Sequence, residues 1–375
     1  MTQATEVRAC GDCLRRSWLL DRLGPFIEKS CANLPGSRTP DLLALGNLDL
    51  VDAVGGMKGG AILDDVREMS VSSMEETIVA ADCWAVCRHD DAYPEGLRGQ
   101  RDAPWALIGR GDSVQLEEVG VGNSVTVVGS RRASSYGLEV ARSLSHELAA
   151  SGLFVVSGMA LGIDGAAHRG ALECGPTIAV LGCGADRAYP VSHTRLYRKI
   201  VETGLVISEV PPGARAWRWS FPARNRIMAA LSQLTVVVEA ATRSGSLITA
   251  EMAIDSGRDV GAVPGLVTSG SAGGTNELIA NGAALIRDGR DVIDRVFGVG
   301  AAAPVPKGPE IPEMARLVLA TVESGSTTCE EVSVRLERDP GPVAAELARL
   351  EIAGYLNCSL FGQYTRTGLA TPSDE

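Results

Sequence analysis

The sequence predicts an α/β protein in which a doubly wound, mainly parallel sheet is flanked by a small helical N-terminal domain and a C-terminal winged-helix-like domain. Three observations carry that expectation. Residues 125–281 alternate short apolar runs with longer amphipathic ones. The formal charge steps from −8 over residues 1–124 to +2 over 125–295, a break of the kind that separates domains. Residues 301–312 (AAAPVPKGPEIP) have neither helical nor strand period and read as a linker.

In chain order, residues 1–75 are weakly periodic and helical and define no more than a small domain. The sheet domain is expected over 76–300. Residues 125–128 read as a strand and 136–150 as its helix. The pairing returns in 154–157 with 163–174, 178–181 with 194–203, 235–239 with 247–256, and 260–263 with 276–281, with a further strand at 206–208. Val and Ile runs without polar alternation are what strands look like when both faces are covered, hence a parallel sheet clothed by helices. Beyond the linker, residues 313–370 offer helix-sized segments at 313–323, 327–337 and 340–353, then a strand-like 355–365 with a turn at Gly362. Thr327 and Thr328 open the second segment, and Asp339 precedes Pro340 at the start of the third. Three helices and a hairpin are the order of a winged helix-turn-helix.

The chain has 375 residues, more than one domain takes, and 45% of them are hydrophobic. Its 35 Lys and Arg against 46 Asp and Glu give −11, which argues against a protein that coats nucleic acid or anionic membrane. With no apolar run of about 18 residues and a polar start, neither membrane insertion nor a secretory signal is expected. A cytoplasmic protein is implied. Nine Cys, an odd number, suit reduced thiols better than a disulfide framework.

Ligands of open α/β sheets sit beyond the carboxyl ends of the strands, where helix N-termini offer free N–H groups. The first such end carries Gly129, Ser130, Arg131 and Arg132; the second, SGMALGID, carries Gly158 and Gly162. Neither is GxGxxG or GxxxxGK[ST], so nucleotide binding lacks its usual marker and no cofactor is expected. Glycines that merely let a strand turn into a helix explain either loop taken singly. Residues 217–226 (WRWSFPARNR) weaken that plainer account, since three aromatics interleave with three arginines in a chain only 4% aromatic. Guanidinium on phosphate and ring on base is the chemistry of single-stranded nucleic-acid binding. The alternative is that the tryptophans plug the sheet edge while the arginines pair with acids. A fourth loop, Arg243 to Glu251, is again small, hydroxylated and ahead of a helix.

GSR (129–131), SGMALGID (157–164), AAHRGAL (166–172), FPARNRIMAALS (221–232), VVEA (237–240), SGSLITAEMAIDSGRDVGAVPG (244–265) and GTNELIANGA (274–283) closely resemble the DprA/Smf family. The resemblance implies an extended Rossmann-like domain that binds single-stranded DNA without sequence preference and forms a homodimer. It also implies loading of the RecA recombinase onto incoming DNA in natural transformation. Carried over by motif, Ser130 and Arg131 bind the DNA backbone, followed by Arg224, Asn225 and Arg226, then Arg132, Arg243 and the glycines Gly129, Gly158 and Gly162. Two features depart from the family. VGGMKGG (54–60) is at best a remnant of its helix-hairpin-helix glycines, and residues 340–353 offer one Arg, Arg349, against Glu346 and Glu351, poor equipment for reading a major groove. That domain is expected to contact protein.

Cys10 and Cys13 with Cys83 and Cys87 invite a four-thiolate zinc site, but the spacing is loose and buried or incidental thiols are the plainer reading, so no metal is expected. Cys174 and Cys183 fall in apolar contexts and read as core. His168 reads as a surface or capping residue rather than a catalytic one. The rival function is a Rossmann-like nucleoside monophosphate phosphoribohydrolase, of whose PGGxGTxxE loop residues 245–251 look like a degraded echo, with Glu251 as its acid. No complete catalytic set accompanies Glu251, so no enzyme is expected.

Overall fold

The apolar runs of the middle segment become the centre of one sheet in the computed structural model, which describes residues 6–32, 35–298, 309, 311–358, 362–366 and 371. Of the expected linker, 301–308 and 310 lie outside the described residues. The strands are β1 (Trp84–Cys87), β2 (Ala106–Gly111), β3 (Ser124–Val128), β4 (Phe154–Ser157), β5 (Thr177–Leu181), β6 (Leu205–Ser208), β7 (Leu234–Val237), β8 (Asp259–Ala262) and β9 (Ala284–Leu285). Among the described residues they form a nine-stranded sheet in the order β1-β2-β6-β5-β4-β3-β7-β8-β9. The pairs from β6 through β9 are parallel, whereas β2 is antiparallel to both β1 and β6. This is the extended, doubly wound, mainly parallel Rossmann-like sheet that the sequence predicts.

Strands β3 to β7 are buried at every position, which is why their residues show no alternation. Their hydroxyls find partners inside. Ser124 donates to the Leu231 carbonyl (2.7 Å) and Thr126 to that of Met228 (2.8 Å), both near the C-terminal end of the helix Ser220–Leu231. These bonds use carbonyls that a helix end leaves unpaired. They fix that helix antiparallel to the strand, with its N-terminus toward the strands' carboxyl ends.

Residues 6–80 contribute the helices Gly11–Cys31, Thr39–Leu43, Asn47–Val54, Gly59–Glu68 and Val71–Ala80. Leu14, Leu19, Leu23 and Ile27 of the first share one apolar core with Ala85, Ile108, Ala179 and Val206 of the sheet. The glycines of 54–60 join Asn47–Val54 to Gly59–Glu68 through a short 3₁₀ turn, so they do form a turn between helices. The N-terminal segment also lies along the outer strand: Arg8 donates to the Ala85 carbonyl (2.8 Å), and Ala85 to that of Glu6 (3.2 Å). The sheet's other face has its own core, around Val156, Ile178, Val180, Ile227 and Leu231.

The chain divides into two compact units, residues 1–149 with 153–301 and residues 302–375 with 150–152. The second contains the helices Glu313–Glu323, Cys329–Leu336 and Pro340–Ile352, then an antiparallel pair, β10 (Leu356–Cys358) and β11 (Tyr364–Arg366). Val318, Val332, Leu347, Leu350 and Tyr355 form its core. Thr328 and Glu331 exchange side-chain bonds to each other's backbone N–H, a capping box at the start of the middle helix. No described helix is long and apolar enough to cross a membrane.

Candidate nucleic-acid interface

Strand β3 pairs with β4 on one side and β7 on the other, so the chain turns opposite ways from neighbouring strand ends. Such a switch point opens a crevice at the carboxyl edge of the sheet. A cleft of about 660 Å³ lies there. Gly129, Ser130, Arg131 and Arg132 after β3 form one wall, and Arg243, Ser244 and Ser246 after β7 another. Ala160 and Asp164 after β4, with Phe221, Arg224 and Asn225 from the start of the helix Ser220–Leu231, complete it. Arg131, Arg132, Arg218 and Arg243 line the cleft with exposed side chains.

The acidic residue of this lining, Asp164, is buried and lies 3.9 Å from the Arg224 guanidinium. Arg224 also donates to the carbonyls of Gly158 and Val180, and Asp164 accepts from the Ala160 N–H at 3.2 Å. Burial pushes the Asp164 carboxyl up and the Arg224 guanidinium down, and each charge opposes the shift of the other. Arg224 is thus a buried cation on the floor, tied to the loop after β4.

The two expected glycines of that loop serve it from behind. A β-carbon on Gly158 would fall inside the Arg224 guanidinium. Gly162 has φ +79°, and a β-carbon there would strike the Ser130 carbonyl. That carbonyl accepts from the Ile163 N–H at 3.2 Å, so the loops after β3 and β4 are locked edge to edge. Met159 between them holds φ +55° though fully buried, local strain in the loop after β4. Two helices begin at the cleft, Ile163–Ala171 after β4 and Gly245–Asp255 after β7; Gly162 gives the first no side-chain cap, and Ser244 caps the second by accepting from the Ser246 N–H.

Of the residues expected to bind, Gly129, Ser130, Arg131, Arg132, Arg224, Asn225 and Arg243 converge on the cleft, with Gly158 and Gly162 behind it. Arg226 does not. It is buried away from the lining, donating to Glu209 (2.6 Å) and to the carbonyls of Asp102 (2.9 Å) and Ala223 (2.8 Å). Residues 220–226 of the WRWSFPARNR cluster form about the first two turns of the helix Ser220–Leu231, on which residues two apart point about 200° apart. Arg224 and Arg226 therefore cannot face the same way. The tryptophans follow the plugging alternative. Trp219 donates its indole N–H to the Gly24 carbonyl (3.0 Å), and Trp217 packs on Gly24 under the Arg215 guanidinium at 3.7 Å. They fasten the helix Gly11–Cys31 and leave Phe221 as the ring on the cleft, 5.1 Å from the Arg131 guanidinium.

Arg218 was absent from the expected set. Its signal was present in the run Trp217, Arg218 and Trp219, where a half-buried and a buried ring leave the residue between them exposed. His168 corrects a surface expectation. It is fully buried, 2.8 Å from the Thr177 hydroxyl, and burial, aided by Arg224, pushes its imidazole down to about 3. Glu251 is exposed and outside the cleft lining.

An open, mainly parallel sheet whose switch-point cleft carries four exposed guanidiniums and two helix N-termini defines a Rossmann-like protein equipped for an anionic ligand. A family model described as DNA recombination-mediator protein A matches residues 84–297, and the chain belongs to that family. It is 40% identical over 261 residues to the DprA of Mycobacterium tuberculosis, covering 68% of this chain and 66% of that one, just under two thirds of its length. The DNA processing protein A of Streptococcus pneumoniae has a similar structure (TM-score 0.60, 33% identity, 76% of this chain and 98% of that one). So does DNA processing protein A of Helicobacter pylori, described for its single-stranded DNA binding mode (TM-score 0.50, 31% identity, 54% of this chain and 92% of that one).

Proposed function

We propose that the cleft binds single-stranded DNA without sequence preference, in a protein that mediates DNA processing and recombination. The observation that carries this reading is the set of four exposed guanidiniums, Arg131, Arg132, Arg218 and Arg243, around a cleft whose lining acid is neutralised by Arg224. Phosphates would be held by those arginines and by the neighbouring helix N-termini, with a base against Phe221. Single-stranded DNA fits better than duplex because a flexible backbone can enter the recess with its bases exposed. Residues 76–300 carry this activity, residues 1–75 buttress it, and residues 313–370 serve as a winged-helix-like module that contacts protein. In that module Arg349 is already paired with Glu346 at 2.9 Å. RecA loading and homodimerisation through the Rossmann-like domain rest on the family resemblance.

The test is a fluorescence titration of oligo-dT and duplex DNA over a salt series, with wild type and Arg131→Ala. About four phosphate contacts predict a slope of log affinity on log salt near −3. Arg131→Ala should flatten the slope by roughly 0.7 and weaken all sequences alike, because phosphate contacts position without specifying. Binding indifferent to salt, or a loss confined to one sequence, would remove the reading. Light scattering with long oligonucleotides checks the dimer, and a monomer whose affinity ignores DNA length would dismiss it. The position of Glu251 outside the cleft counts against the hydrolase alternative. Nucleoside monophosphate hydrolysis abolished by Glu251→Gln would restore it.

A further inference from the structure

The thiols that the sequence left as incidental do not all stay apart. Cys83, the expected fourth member of a thiolate set, donates instead to the Ala81 carbonyl at 3.5 Å. Cys10, Cys13 and Cys87 gather with His89, and one ligand atom from each lies within 4.8 Å of all the others. We propose that Cys10, Cys13, Cys87 and His89 bind a zinc ion that fastens the start of the helix Gly11–Cys31 to the end of β1.

The geometry is that of a tetrahedral site. With Zn–S near 2.3 Å and Zn–N near 2.05 Å, the S···N edge of a tetrahedron is about 3.6 Å. The His89 Nδ1 lies 3.4 Å from the Cys10 Sγ, 3.6 Å from that of Cys13 and 3.9 Å from that of Cys87. Local structure brings each pair to one side. Cys10 is the residue before the helix and Cys13 lies in its first turn, so the two sulfurs share the helix's positive end. Cys87 ends β1 and His89 follows two residues later in the turn. The backbone N–H of Cys10 points at the Cys87 sulfur at 3.4 Å. Three sulfurs and an imidazole are a soft set that selects zinc over calcium or magnesium, and four protein ligands leave no open position, so the role is structural. The set joins residues 77 apart in the chain, across the same seam where Arg8 donates to the Ala85 carbonyl and Ala85 to that of Glu6. A closed metal site is most stabilising when it clips such a long loop.

Zinc in the full-length protein, purified without chelator, is measured by plasma mass spectrometry, and cobalt(II) is then added to the chelator-stripped chain. One zinc per chain is expected, with a sulfur-to-cobalt charge-transfer band and the d–d absorption of a tetrahedral site. Cys13→Ser with Cys87→Ser should lower zinc to near zero, His89→Cys should retain it, and Cys83→Ser should leave it unchanged. The cobalt spectrum is read on wild type, so a double variant that fails to fold does not decide the matter. Isolated protein without stoichiometric zinc and without a cobalt–thiolate band would overturn the proposal. A disulfide between Cys10 and Cys13 in the isolated chain would do so equally.

Discussion

Arg131 and Arg226 are both motif arginines, but their surroundings give them different tasks. Arg131 is exposed at the cleft, whereas Arg226 is 4% exposed and bonded to Glu209. Removing one partner of a buried ion pair strands the other charge and costs about 3–5 kcal/mol. Arg226→Ala should therefore lower the midpoint of urea unfolding strongly, while Arg131→Ala changes stability by no more than about 0.5 kcal/mol. Equal midpoints for the two variants would contradict this division. At this scale the sequence was informative about residue type and silent about direction. FPARNR announces cationic chemistry, but which guanidinium reaches the cleft depends on helical phase and on acids more than a dozen residues away, Glu209 and Asp102.

The parallel strands β3 to β8 were legible, and the antiparallel pair β1 and β2 was not. Strands β3 to β8 fall within two residues of the apolar runs, because burial on both faces leaves only Val, Ile and their like. β1 (WAVC) and β2 (ALIGRG) were unmarked: they stand outside the strand-helix alternation, as an antiparallel pair whose apolar residues are mixed with Gly, Arg and Cys. The helix Ser220–Leu231 was hidden by its own motif, since Pro and polar residues at its start look like a loop. The loops after β3 and β4 act as one element through the Ser130 carbonyl. Gly162→Ala combines a strained positive φ with a clash against that carbonyl and should displace Arg131. The expected outcome is DNA affinity reduced about as far as by Arg131→Ala, with a lower melting temperature as well. Unimpaired binding would mean that the two loops are not coupled.

Over the whole molecule the net charge of −11 is a sum of unlike parts. Residues 1–124 carry −8 and residues 311–370 carry −3, while the sheet segment is +2 and places four exposed arginines at one cleft. Acid outside the cleft should confine DNA to it by repulsion, an effect that salt screens. Because residues 302–375 cluster as a separate unit, deleting 311–375 is a fair test. Affinity for single strands should rise at low salt and converge with wild type at high salt; unchanged affinity and site size would count against the idea. The amino-acid sequence by itself determined the fold class and marked the strand-end loops that line the cleft, since period, turn chemistry and motif are local properties of the chain. Only the tertiary structure decided that Arg218 faces the cleft, that Arg226 and two tryptophans do not, and that His89 rather than Cys83 joins three thiols. Those outcomes depend on which distant side chains share a volume from which water is excluded, and no spacing along the chain encodes that.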